Sequence, residues 1–198
     1  MAWAPDYAQA SDLKAYLRID DNVDDVQIGL AITAASRAVD RAAHRQFGQV
    51  AALEDRIYTA EWDRHRCRWL VTIDDLQDIA GLVVNVDAGV ISAYTLYPVN
   101  AAKKGRPYEL LMVDKAATVT PAGGEHLVTI TAKWGWTAVP NTVKEATLLQ
   151  ASRFAKRRDA PFGVAGSPEL GSELRLLAKV DPDVAVMLSD YQRWWAAA

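Results

Sequence analysis

The sequence is short of almost everything that would assign it to a secreted, membrane-bound or metal-dependent class. It has a single cysteine, Cys67, so no intramolecular disulfide can form and the fold does not depend on an oxidising compartment. No apolar run approaches the roughly 20 residues that span a bilayer. Residues 1–10 carry neither a basic stretch nor a long apolar one, so no secretory leader is expected there. Internal repeats of solenoid period and low-complexity blocks are also missing. The net charge is only −3, which argues against binding nucleic acid through a broadly basic surface but leaves room for a local basic patch. The chain is therefore expected to be made in a cytoplasm and to have no membrane partner.

Catalytic signatures are scarce as well. There is no G-x-S-x-G elbow, and the glycine pairs near residues 123 and 163 lack the Lys-Ser/Thr of a phosphate loop. Asp63, His65 and Cys67 match no zinc spacing. On a strand His65 and Cys67 would share a face, but a satisfied histidine beside a small thiol is the commoner arrangement. The pairs Asp20-Asp21 and Asp74-Asp75 read as solvated turn or cap residues. No enzyme activity, cofactor or metal is expected.

What the chain does have is an ordinary globular balance, 51% hydrophobic and 24% charged over 198 residues, enough for one core or a core plus a small module. Periodicity divides it into helical, strand-like and again helical zones. A short helix is expected with Ser11 as cap and Leu13, Tyr16 and Leu17 on one face. A longer one follows, capped by Asn22 with Asp24 and Asp25 in its first turn. Ile28, Ile32, Ala35, Val39 and Ala42 form its apolar stripe, and Ala31, Ala34, Ala38 and Ala43 permit close approach of a neighbouring helix. Arg37, Arg41 and Arg45 make a basic edge, and the helix is expected to stop near Phe47-Gly48.

Strands are expected at 56–60, 69–73, 82–87, 94–97, 108–112, 117–120 and 126–134, as a small antiparallel sheet or sandwich. After Val139-Pro140, with Asn141 or Thr142 as cap, a second long helix carries Val143, Ala146, Leu149, Ala151 and Phe154. Arg153, Lys156, Arg157 and Arg158 crowd its end, as dipole complements, a subunit contact or a phosphate contact. A Gly/Pro/Ser-rich loop, 164–172, and residues 173–179 lead to a last helix opened by Asp181-Pro182. Trp194 and Trp195 close it, either folded back on their own domain or docked into another protein. The fold class is α+β: a helical core of two long helices plus shorter ones (residues 1–54 and 137–198) with an inserted antiparallel β module (55–136).

Two separated segments carry a resemblance. The first runs from Ser11-Asp12-Leu13 through Ile19-Asp20-Asp21 and Asp24-Asp25 into Ala34-Ala35-Ser36-Arg37-Ala38-Val39-Asp40 and Arg45-Gln46-Phe47-Gly48. The second is Val128 to Trp136, handed through Val139-Pro140 to Val143-Lys144-Glu145-Ala146, with Arg157 to Gly163 ending that helix. In this order they resemble the head-to-tail connector (adaptor) proteins of long-tailed bacteriophages. The resemblance implies a structural virion protein at the neck. It would form a ring, commonly a dodecamer, joining the portal protein to a stopper or tail-completion protein, with DNA passing through the lumen as cargo. It further implies Leu176, Leu177, Tyr191, Trp194 and Trp195 as portal-docking candidates. Arg37, Arg41, Arg45, Arg153 and Arg157 become contacts between subunits. The free 164–172 loop and C-terminal segment would be mobile until docking. The alternatives are a DNA-binding packaging accessory, using Arg153 to Arg158 and the Arg37 to Arg45 edge, or another neck component.

Overall fold

The computed structural model describes residues 3–157, 164–165, 174–175 and 181–193. The chain divides into a discontinuous helical unit, residues 1–47 and 139–198, and a continuous β unit, residues 48–138. The fold is α+β, with both large sheets antiparallel.

In the helical unit, α1 (Ala10–Leu17) is capped by Gln9, not Ser11. Gln9 N–H donates to Asp12 Oδ2 at 2.9 Å, and Arg18 ends the helix in the left-handed region. Asp12 also pairs with Lys144 Nζ at 2.8 Å, and that contact holds its carboxyl below the usual range. α2 (Asp25–Ala43) has Asp24 as its N-cap residue in place of Asn22. Asn22 and Asp25 instead receive Lys14 Nζ at 2.6 and 2.8 Å. Four of the five stripe residues are buried as the period requires: Ile28, Ile32, Ala35 and Val39 are each at most 2% exposed, whereas Ala42 is half-buried and Ala43 lies inside instead. Ile28, Ile32 and Ala35 pack with Leu13, Leu148 and Ala151 in one cluster. Leu148, not Leu149, supplies the inward leucine of α3 (Asn141–Arg157). That helix starts on the Pro140 carbonyl, which accepts from Val143 and Lys144 N–H, so Asn141 is already helical.

α2 ends at Ala43, earlier than Phe47-Gly48, because His44 takes the left-handed conformation and turns the chain. Past the short hairpin β9 (Val164–Ala165) and β10 (Leu174–Arg175), α4 (Pro182–Leu188) begins on Asp181 with proline in its first turn. Val164 and Ala165, at the start of the segment expected to be a loop, thus pair with Arg175 and Leu174 beyond it.

In the β unit, one sheet has the order β1 (Glu54–Tyr58), β8 (Val128–Lys133), β4 (Asp78–Val86), β5 (Gly89–Val90). The other has the order β2 (Glu61–Asp63), β3 (Arg68–Leu76), β7 (Tyr108–Val113), β6 (Tyr94–Tyr97). β8 alternates as its sequence does, with Val128, Ile130 and Ala132 buried. Residues 117–120 form no strand, since turn residues on either side leave the segment without a partner. Asp74 and Asp75 lie on β3 and not in a turn; Asp75 is buried, while Asp74 stays partly exposed. Asp74 accepts from Arg56 Nη1 (2.8 Å) and Tyr58 OH (2.9 Å), and buried Asp75 accepts from Trp136 Nε1 (2.8 Å). Trp134 and Trp136 are both 1% exposed, and the Trp134 indole N–H reaches Glu54 O at 2.9 Å, so neither ring buries an unpaired donor.

Between those tryptophans Gly135 (φ 106°) sits against Gly48. Its N–H donates to Asp75 O (2.6 Å) and its carbonyl accepts from Gln77 N–H (3.1 Å), while Trp136 N–H donates to Gly48 O (2.8 Å). With Val50 N–H on Trp134 O (3.0 Å), these bonds clasp the first and last segments of the β unit together.

Candidate assembly surfaces

The residues expected to form subunit contacts fall into distinct settings. Arg37 is engaged within its own chain: Nη1 lies 3.1 Å from Asp40 Oδ2, Nη2 donates to Pro5 O, and the guanidinium stands 5.8 Å from the Tyr7 ring centroid. Tyr7 in turn donates its OH to Asp40 Oδ1 and accepts from Phe47 N–H (3.0 Å), and its N–H donates to Ser36 Oγ (3.1 Å). This network straps residues 5–8 along α2. Burial pushes the Tyr7 phenol up, and the hydrogen bond to Asp40 pushes it further. Burial also raises Asp40, against the lowering effect of Tyr7 and Arg37. Arg45 and Arg157 are half-buried with partners in the chain, and Arg41 is exposed.

Arg153 belongs to a clamp. Its Nη1 reaches Asp181 Oδ2 at 2.7 Å, Asp181 Oδ1 accepts from Asp183 N–H at 2.9 Å, and Asp181 N–H donates to Gln150 Oε1 at 3.3 Å. One carboxylate thus caps α4 and ties it to α3. Farther on, Gln192 Nε2 donates to Ala42 O (3.3 Å) and Arg193 N–H to Ala43 O (2.9 Å). Those carbonyls end α2 and would otherwise have no intrahelical partner. Tyr191, a docking candidate, packs edge-on against Phe47 at 5.8 Å, and Phe47 packs edge-on against Tyr7 at 5.6 Å. Residues 181–193 are therefore part of the helical core. Leu176, Leu177, Trp194, Trp195 and Arg158 lie outside the described residues.

Replacing Asp181 by alanine removes the cap, worth about 1 kcal/mol, and a partly buried ion pair worth up to about 1 kcal/mol. A destabilisation of about 1–2 kcal/mol is expected in urea unfolding, and Asp181→Asn, which keeps a capping oxygen, should be affected less. Equal, negligible effects in both variants would show that the clamp contributes nothing.

Two further surfaces emerge from the fold. On the helical unit, Val26 and Leu30, one turn apart on α2, are 75% and 61% exposed, and Val23 in the turn before the helix is 86% exposed, so a second apolar strip faces outward. Beside them lies a groove of about 410 Å³ lined by Leu17, Ile19, Ile28, Leu30, Ala31 and Phe154, with Asp24 and Lys156 at polar positions. The spacing is present in the sequence, but the stronger Ile28 stripe masks it.

On the β unit, the β2–β3 turn carries Arg64, His65, Arg66 and Cys67, all exposed. Asp63 Oδ1 accepts from His65 N–H (2.8 Å) and Arg66 N–H (3.0 Å), and Asp63 Oδ2 pairs with Arg66 Nη1 (2.8 Å). Those bonds, the Arg66 N–H foremost, hold the Asp63 carboxyl below its usual range. Cys67 adopts φ 51°, so His65 and Cys67 do not share a strand face as supposed. No metal-binding group of three or more His, Cys, Asp or Glu occurs among the described residues. Trp62 stacks edge-on against its cross-strand partner Trp69 at 5.3 Å and stiffens the hairpin stem. Next to the turn, Arg66, Arg68, Tyr97, Leu110, Met112 and Lys115 line a hollow of about 360 Å³. Arg68 Nη1 lies 3.4 Å from Asp114 Oδ1.

No protein-family profile matches the sequence, and no curated protein matches it. Solved structures do. The chain is similar over 100% of its length to 96% of a chain in the neck of an empty GTA particle computed with C6 symmetry, with a TM-score of 0.59 and 16% identity. The two share a fold. No helix among the described residues is long and apolar enough to cross a membrane.

Proposed function

We propose that this chain is a structural neck protein of a tailed phage or phage-like particle, the ring-forming adaptor between the portal and the stopper or tail. The observation that carries the reading is the fold shared, end to end, with a chain of a GTA (gene transfer agent) particle neck. It agrees with the order of motifs in two distant segments of the sequence. The protein works mechanically: it docks, closes a ring and leaves a lumen for DNA.

A ring needs a heterologous contact, in which two different patches of one molecule fit each other on neighbouring copies. The helical unit offers one half of such a contact in exposed Val26 and Leu30 and the adjoining groove lined by Ile28, Leu30 and Phe154, to be covered by a different patch of the next copy. A second copy is the occupant that closes the ring. A dodecamer is compatible with a neck of C6 symmetry, since a twelve-fold ring is also invariant under six-fold rotation. Docking on the portal falls to Trp194 and Trp195, which follow directly on the clamped Arg193.

The test is particle imaging with mass measurement of the purified protein, alone and mixed with its portal ring. A closed ring, or a stoichiometric layer added to the portal, is expected. The docking variant is Trp194→Ala with Trp195→Ala, because removing residues 181–198 would also remove the clamp on α2 and α3. A monomer at all concentrations that ignores the portal would overturn the adaptor reading.

A further inference from the structure

The cations first suspected of touching DNA are largely engaged elsewhere: Arg37 in the Tyr7 strap and Arg153 in the α4 clamp. A basic group that the fold does present, beside exposed Lys103 and Lys104 before β7, is the β2–β3 hairpin. Within it Arg64, Arg66 and Arg68 join Lys115 from the turn after β7, opposed by Asp63 and Asp114, with Glu61 farther up the stem. Four cations against three carboxylates leave a small positive excess at the exposed tip of a chain whose net charge is −3.

Its build is that of a binding surface and not of a solvated loop. Both carboxylates at the tip are already committed: Asp63 to two backbone N–H groups and Arg66, Asp114 to Arg68 and Thr95 Oγ1 (3.1 Å). They orient the two arginines and leave guanidinium N–H groups to spare. The hollow between them has a phenol ring, Tyr97, and an apolar floor, Leu110 and Met112. Cations around an aromatic plane match a nucleotide, whose phosphate takes the guanidinium forks and whose sugar or base lies against the ring. An acidic peptide would use the cations but has no need of the plane.

We infer that the hollow bounded by Arg66, Arg68, Lys115 and Tyr97 is a contact site for the sugar-phosphate backbone of DNA. The inference rests on the neck reading for its biological polyanion, the passing genome. Few cations per copy make a weak contact, and repetition around a ring makes a shallow electrostatic guide that centres DNA without stopping it.

The test is fluorescence anisotropy of the full-length protein with labelled single- and double-stranded DNA, between about 50 and 200 mM salt. Wild type is expected to bind in the non-specific range, with Kd about 10⁻⁴–10⁻⁶ M, weakening as salt rises. The Arg64→Ala/Arg66→Ala/Lys115→Ala variant, all exposed positions, should bind about tenfold or more weakly at low salt. Its log–log salt slope should be shallower by up to about 0.9 for every phosphate that is no longer neutralised. Arg41→Ala, an exposed cation on α2, should bind like wild type.

Absence of salt-dependent binding by wild type, or a triple variant that binds equally well, overturns the site. So does an equal weakening in Arg41→Ala, which would mean diffuse charge. Binding to polyglutamate without binding to DNA would also overturn it, in favour of an acidic protein surface. Ring formation is read separately by imaging: a protein that rings without binding DNA loses only this site, and one that binds DNA without ringing loses only the adaptor assignment.

Discussion

Gly135→Ala is expected to unfold the β unit at temperatures where wild type is intact. The added Cβ would lie 2.0 Å from Gly48 O and 3.1 Å from Gly48 C, both backbone atoms that cannot rotate aside. Residue 135 also has φ 106°, which by itself costs a non-glycine residue about 1–3 kcal/mol. Relief by movement is blocked because Gly48 O already accepts from Trp136 N–H, and Gly135 is held by Asp75 and Gln77. Shifting any of these pulls on two indoles packed at 1% exposure. The sum is placed at about 4 kcal/mol or more, in the class of exceptional single substitutions. That corresponds to a drop in Tm of roughly 10 °C or more for a chain of this size. Gly29→Ala is the internal control: nothing lies within 4 Å of its added Cβ on α2, so a gain of about 0.5–1 kcal/mol is expected. Calorimetry of the two variants side by side decides the matter. A Gly135→Ala protein that melts with wild type would mean that the clasp opens at little cost.

The second large effect concerns assembly alone. Val26→Glu with Leu30→Glu should leave a folded monomer with an unchanged melting point, because both side chains are already mostly in water and surface substitutions seldom exceed about 0.5 kcal/mol. In a ring the same carboxylates would be buried against the apolar surface of the neighbouring copy, at several kcal/mol per interface. The penalty recurs at every subunit junction, so closure should fail at concentrations about a hundredfold above those at which wild type closes. Mass measurement across a concentration series shows it directly. If the double variant closes rings as readily as wild type, the α2 stripe is not the subunit contact, and the groove has another occupant.

Sequence periodicity is most informative where a pattern reflects one local surface. The Ile28, Ile32, Ala35, Val39 stripe needs only a helix and a core. Val128, Ile130 and Ala132 need only a pleat with one buried side, and residues 94–97 and 108–112 are bounded by turn residues that do stop strands there. Boundaries set by distant residues are illegible. α2 stops at Ala43 because His44 turns left-handed, and the freed Ala42 and Ala43 carbonyls are met by Gln192 and Arg193, roughly 150 residues away. Gly48, which reads as a helix cap, is instead the partner of Gly135. Asp75 looks like a turn carboxylate until Trp136 is folded onto it.

The candidate surfaces follow the same division. The basic run from Arg64 to Arg68 is plain in the sequence, where the neighbouring His65 and Cys67 draw attention to metal ligation instead. Its significance depends on Tyr97 and Lys115, brought beside it by pairing of β3 with β7 and β7 with β6. Arg37 and Arg153 look free on a helical wheel. The strap and the clamp that use them come from residues 5–7 and 181, far along the chain.

The clasp at Gly48 and Trp136 bears on how this chain can vary. In polymer terms it fastens the two ends of a long loop to each other, so the chain entropy of closing residues 48–138 is settled within the β unit by its own backbone bonds. Lengthening or trimming the outer hairpins, such as β2–β3 or β4–β5, leaves those fastened ends where they are. Free loop closure rises by only about 0.6 kcal/mol per doubling in any case. Insertions in those outer turns are thus expected to leave the packing of the helical unit unchanged.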